Sequence, residues 1–272
     1  MREQVVVAGE LRTGLDRHEF ELYIQPQVAL ASGGIMGMEA VLRWNHPTRG
    51  QLHPLVFLPI AEKTGTMLAI GRWVLDRSCR QMHLWRKAGI APATIAVSLS
   101  LAELKTASEF VQFVASTLER WDLPPSSLEF GVTESMLAHT TLANNDVIKR
   151  LQLSGIKIAI DDFGTKFSSL DYLRTFRVNR LKIARAMVDA ATHHSGNAAM
   201  VRAITSIARE LNVEVVVQGV ELEAQWAFLN AVTPATNVQG YFYGEPVPEA
   251  RATLLLHEGV VRPAVHPAAV PV

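Results

Sequence analysis

The chain has 272 residues, 49% hydrophobic and 19% charged, enough for one large barrel or two small domains and unlike a disordered chain. Its 26 basic and 26 acidic residues cancel, so no overall field favours DNA, RNA or a membrane surface as a partner. No apolar run reaches the roughly 18 residues of a membrane span, the N-terminus lacks a signal-peptide pattern, and the lone Cys79 has no internal disulfide partner, so a cytoplasmic domain is expected.

In chain order, Val7, Leu11 and Leu15 fall at helical spacing and predict an N-terminal helix over 4–17. Phe20 to Leu30 reads as a strand, and Pro26 within it, having no N–H to donate, argues for a strand edge or end. Ser32-Gly33-Gly34 is a tight turn into a second strand, Ile35 to Trp44, which makes the pair an antiparallel hairpin. Beyond it, helices at 55–63 and 68–88 precede a strand at 94–99, a helix at 108–121 precedes 128–133, and a helix at 141–153 precedes 157–162. A short helix around 168–174 precedes a strand at 180–183, a helix at 198–210 precedes 214–219, and a helix at 222–230 precedes a last strand at 237–242. This alternation predicts an α/β fold, a TIM-like (β/α)8 barrel with a reversed first strand, over residues 1–258. Residues 259–272, rich in Pro, Ala and Val without period, predict a disordered tail.

The run Lys157-Ile158-Ala159-Ile160-Asp161-Asp162-Phe163-Gly164 carries two adjacent carboxylates at the end of a buried strand. They cost repulsion and desolvation unless a cation or hydrogen-bond donors share them. The alternative is a turn in which the Asp side chains bond their own backbone. In a barrel of this kind the active site lies at the carboxyl ends of the strands. At those ends stand Glu39 and Arg43, Ser98 and Ser100, Thr133 and Glu134, Asp161 and Asp162, Lys182, Gln218 and Glu221, and Gln239. Four carboxylates on one rim, Glu39, Glu134, Asp161 and Asp162, suit hard divalent cations bound through oxygen, Mg²⁺ or Mn²⁺. Asp161 and Asp162 together would help hold two metals roughly 4 Å apart, as in phosphodiester hydrolysis. Lys182 and Arg43 would counter phosphate charge.

These residues, in this order, resemble the EAL domain family of cyclic di-GMP phosphodiesterases over roughly residues 5–255. Tyr23-Ile24-Gln25-Pro26 is similar to the family's YxQP strand, and Glu39-Ala40-Val41 stands at its signature tripeptide, with Val for Leu. Arg43-Trp44, Thr133-Glu134-Ser135, Asp161-Asp162-Phe163-Gly164, Leu181-Lys182-Ile183, Gly219-Val220-Glu221 and Gln239-Gly240-Tyr241 follow in order. The resemblance implies metal ligands at Glu39, Ser98, Glu134, Asp161 and Asp162, catalytic groups at Lys182, Gln218 and Glu221, and nucleotide-holding groups at Gln25, Arg43, Asp161 and Gln239. It also implies a homodimer paired through helices near the loop after the fifth strand.

Four departures weigh against turnover. Ser98 stands where the family has an asparagine metal ligand, Ala184 where it has Asp, Gln218 where it has the glutamate that activates water, and Lys166 in place of a glycine. An amide can offer a metal an oxygen but no charge, and it cannot take a proton from water. The expected function is therefore a degenerate, catalytically inactive domain that acts as a cyclic di-GMP receptor, with Mg²⁺ or Mn²⁺ binding weakened. Two readings stand beside it: a slow phosphodiesterase yielding linear pGpG, and a protein-interaction module that does not bind the nucleotide. Lys182 lies between aliphatic residues on a strand and is expected to face the carboxylates, since a buried lysine needs an anion. Glu221 either serves the site or caps the helix that follows it.

Overall fold

The computed structural model describes residues 2–138, 142–165, 173, 176–233 and 236–263. Its strands are β1 (Phe20–Ala29), β2 (Ile35–His46), β3 (Gly50–Leu52), β4 (Ile95–Ser98), β5 (Leu128–Thr133), β6 (Lys157–Phe163), β7 (Arg180–Ile183), β8 (Glu214–Gln218), β9 (Asn237–Gln239) and β10 (Val247–Pro248). From β2 through β4 to β9 each strand of the wall is parallel to the next. β1 is antiparallel to β2 on one side and to β9 on the other, so the wall closes on a reversed first strand. The eight-stranded barrel is the predicted one. β3 and β10 are short additions, absent from the sequence reading, that extend β2 and flank β1.

Pro26 corrects one expectation. It lies in the middle of β1, opposite Met38 of β2, not at an edge or end. On the other side β1 passes from β10 at Tyr23 and Ile24 to β9 at Val28 and Ala29. Pro26 sits in the gap between those two ladders, where a missing N–H breaks no second ladder.

The helices Arg2–Asp16, Pro54–Thr64, Met67–Lys87, Ala107–Arg120, Leu142–Leu153, Ser195–Glu210 and Glu223–Val232 agree with the predicted spans to within a few residues. Leu101–Lys105, Glu134–Ala138 and Arg185–Ala191, each starting just past a strand, are too short to show a helical period, and Glu249–Glu258 was also missed. The helix expected around 168–174, and Lys166 with it, lies outside the described residues except for Leu173. Residues 259–261, expected within a disordered tail, instead pair with the β1–β2 turn. Val261 N donates to Gly33 O, Ile35 N donates to Gly259 O, and Val261 is buried. Residues 264–272 lie outside the described residues.

Alternation along the strands divides core from site. Leu128, Phe130 and Val132 of β5, Ile158 and Ile160 of β6, and Leu181 and Ile183 of β7 join the main apolar core between wall and helices. Their neighbours, one residue out of phase, face the barrel axis. Cys79 is fully buried in Met67–Lys87, where burial pushes its thiol up to about 12 and makes it inert. A second core joins Val7 and Leu11 of the N-terminal helix to Phe20, Leu42, Trp44, Phe57, Ala61 and Ile70.

Candidate functional site at the barrel mouth

Many inward residues of this barrel are charged, amide or small, unlike the branched aliphatic layers that usually fill such barrels. Lys182 on β7 is fully buried, and its Nζ stands 3.2 Å from Glu39 Oε1 and 3.0 Å from Asp161 Oδ1. Burial disfavours the ammonium, but Asp161, Glu39 and Glu129 outweigh it and hold Lys182 above the usual lysine range. Burial raises Asp161 above the usual carboxylate range; Lys182 pulls it back and Glu39 pushes it further up. Two carboxylates share one cation, so the proton affinity of Asp161 stays high. Gly131, on neighbouring β5, makes room: a Cβ there would collide with the Asp161 carboxylate.

Three glutamines line the neighbouring wall. Gln239 Nε2 donates to Gln25 Oε1 at 2.9 Å, and Gln25 Nε2 donates to the carbonyl of Gly244 at 3.0 Å. Gln25, Gln218, Gln239, Arg185, Glu221 and Tyr241, with Gly219 and Gly240, line a mouth cavity of about 200 Å³. Gln218 ends β8 beside Gln239. Arg43 on β2 is buried, lies over the Tyr23 ring at 5.3 Å and donates to Leu42 O. Burial lowers its pKa from the ordinary arginine value, against the raising effect of Tyr241, Tyr23 and Glu245. A larger cavity, about 770 Å³, lies outside the wall between Tyr243–Glu245, Glu249–Glu258 and Val260–Arg262 and brings together none of these groups.

Glu221 does not cap the next helix. Gln225 does, accepting the N–H groups of Glu221 and Leu222 at its Oε1, while the Glu221 carboxylate is held by both Nη atoms of Arg185, at 2.7 Å for Nη2. The other predicted groups do not converge. Asp162 sits at an irregularity in the β6–β7 register with φ +55° and an exposed side chain, so its carboxylate does not join that of Asp161. Ser98 is exposed at the end of β4. Glu134 is buried at the start of its helix; Oε2 accepts from Gly164 N at 3.4 Å and Oε1 has no partner.

Among the described residues no group of three or more His, Cys, Asp or Glu side chains is placed to share a metal ion. Glu39 and Asp161 each commit an oxygen to Lys182, Asp162 turns outward, and Ser98 and Gln218 carry no charge. Of the expected ligand positions, Glu39, Glu134 and Asp161 are buried and Ser98 and Asp162 are exposed. Sequence reasoning missed Gln27, Glu129, Arg180 and Arg185. Period-two alternation was a signal for two of them, because Glu129 shares a face with Gly131 and Thr133, and Arg180 shares one with Lys182.

Fold and mouth together define a TIM-like (β/α)8 barrel with a reversed first strand and a polar carboxylate, lysine and amide site. Within that class the chain belongs to the EAL domain family, whose description matches residues 8–246. It is 42% identical over 247 residues to the bifunctional diguanylate cyclase/cyclic di-GMP phosphodiesterase MucR of Pseudomonas aeruginosa, covering 91% of this chain and 36% of that protein. It is 33% identical over 252 residues to the oxygen sensor protein DosP of Escherichia coli, covering 91% of this chain and 31% of that one. The chain thus spans about a third of the length of these curated relatives. The solved PaMucR phosphodiesterase in complex with c-di-GMP superposes with a TM-score of 0.85 at 41% identity, over 90% of this chain and 99% of that one. No helix among the described residues is long and apolar enough to cross a membrane.

Proposed function

We propose that this domain binds cyclic di-GMP at the barrel mouth and does not linearise it, acting as a receptor in cyclic di-GMP signalling. One observation carries the reading: β8 delivers the neutral amide of Gln218 to the mouth cavity, where the family resemblance calls for a glutamate. With that carboxylate gone, Glu39 and Asp161 lie against Lys182 and Glu221 is held by Arg185, so the carboxylate that the resemblance assigns to readying water has no replacement on β8. Gln25, Arg43, Asp161 and Gln239, the groups expected to hold the nucleotide, all stand on the inner wall or rim. The complex of PaMucR with c-di-GMP, at 41% identity, supports retained recognition.

Titration calorimetry with cyclic di-GMP tests this. Binding is expected with a chelator present and to change less than a few-fold when Mg²⁺ or Mn²⁺ is added. Arg43→Ala should weaken it at least tenfold, the usual scale for losing a buried charged contact. No heat at high nucleotide concentration would leave only the protein-interaction module.

A further inference from the structure

Arg180 and Gln27 are not among the groups assigned to hold the nucleotide, though Gln27 touches one of them, Gln239. Both are nearly fully buried, at 3% and 1% exposure. Arg180 pairs with Glu129 Oε2 at 2.7 Å and Glu214 Oε2 at 2.6 Å, and its Nη1 donates to Gln27 Oε1 at 3.1 Å. Gln27 Nε2 donates to Glu39 Oε2 and to Gln239 Oε1, each at 3.3 Å. Gln239 then donates to Gln25, and Gln25 donates to the Gly244 carbonyl.

Every bond in that series runs in one direction, and its ends explain why. A guanidinium has only donors, so the atom of Gln27 that faces it must be oxygen. A backbone carbonyl only accepts, so the atom of Gln25 that faces Gly244 must be nitrogen. Between these fixed ends each amide has a single orientation that leaves no donor against donor and no oxygen against oxygen. The carboxylate of Glu39 reinforces it, because it too requires a donor from Gln27.

We infer that Arg180, acting through Gln27, is a positioning residue that fixes the amide polarity of this relay from one end, as the Gly244 carbonyl fixes it from the other, so that Gln239 between them presents its donor and acceptor to the mouth in one arrangement. This rests on the reading of the mouth as a nucleotide site, and it adds that specificity is set from beneath by a cation that does not meet the ligand. After their internal bonds Gln239 and Gln25 each keep one N–H and one oxygen lone pair. Reversing either amide would exchange the two as seen by a bound guanine edge or phosphate.

The test is made on the whole chain, first without nucleotide, by following the side-chain amide ¹H–¹⁵N signals of Gln25, Gln27 and Gln239. Arg180→Met and Gln27→Met should both move the Gln239 and Gln25 signals and speed their hydrogen exchange, and Arg180→Lys, which keeps a donor, should restore them in part. Signals of Gln25 and Gln239 that stay in place in Arg180→Met, with the fold intact by circular dichroism, would overturn the inference. Titration then supplies the second arm. Gln27→Met is expected to weaken cyclic di-GMP binding roughly tenfold, the usual scale for a group supporting a ligand-holding side chain. The same substitution on a Gln239→Ala background should add little, because it acts through Gln239, whereas additive losses would contradict the relay. If the unaltered protein binds no nucleotide, the function reading falls, and the amide signals still decide the polarity.

Discussion

Lys182 shows how one side chain holds two buried anions together. Its two contacts, at 3.2 and 3.0 Å, stand in for the hydration that Glu39 and Asp161 lost on folding. Lys182→Met should therefore cost about 3–5 kcal/mol in urea denaturation at neutral pH, the usual scale for removing one partner of a buried ion pair. An unchanged midpoint would mean that the carboxylates are solvated and the site is wetter than described. Glu103 is a second residue whose charge works against the fold. It is buried at 2% exposure, accepts from Ser100 N and Oγ at 2.8 and 2.9 Å, and burial, against those bonds and Arg72, raises it to about 7. Its folded pKa lies above its unfolded one, so the folded state binds the proton more tightly. Stability should be greatest below about pH 4.5 and fall as pH rises to about 7, by of the order of 3 kcal/mol. Glu103→Gln keeps an acceptor for the cap and should flatten that part of the stability profile; a slope that persists would assign it to other groups.

Among the elements, β2 joins core and site. One face carries Leu42 and Trp44 into the small core beneath the N-terminal helix, while Glu39 reaches Lys182 and Arg43 lies over Tyr23. That helix is fastened by Val7 and fully buried Leu11, with Phe20 stacked on Trp44 at 5.4 Å and His46 Nε2 3.2 Å from Glu10 Oε2. Glu10 is partly exposed, so this contact adds at most about 1 kcal/mol. Leu11→Ala should destabilise by about 2–5 kcal/mol through the cavity it leaves, seen as a shift of the urea midpoint with little change in slope. A shift below about 0.5 kcal/mol would show that the helix adds little to the fold. The strands and long helices were legible because each carries its own period, and the reversed β1 was legible because a two-glycine turn permits only a hairpin. Short helices such as Arg185–Ala191 have no such signal. Glu221 leaves a capping role open from sequence because its position fits a first turn, and nothing local announces that Gln225 reaches back in its place.

For the whole molecule, what could not be read was what the closed barrel brings together. Gln27 meets Arg180 across 153 positions and Gln239 across 212, and no window of sequence reports such pairs. The rim residues were foreseeable one by one, since a strand end is a local feature. That Lys182 lies between Glu39 and Asp161, and that Asp162 turns away from its neighbour at a register irregularity, follows only from the wall's curvature and stagger. The pattern is a mouth that sets a row of amides beside a lysine shared by two carboxylates.

The most direct test is the amount of linear pGpG formed from cyclic di-GMP, followed by chromatography with Mn²⁺ in excess, for the unaltered chain and for a Ser98→Asn, Gln218→Glu double variant. The unaltered chain is expected to bind the nucleotide and release no product above background, and the double variant to gain measurable turnover. Brisk formation of pGpG by the unaltered chain, abolished by Glu39→Ala, would contradict the receptor reading.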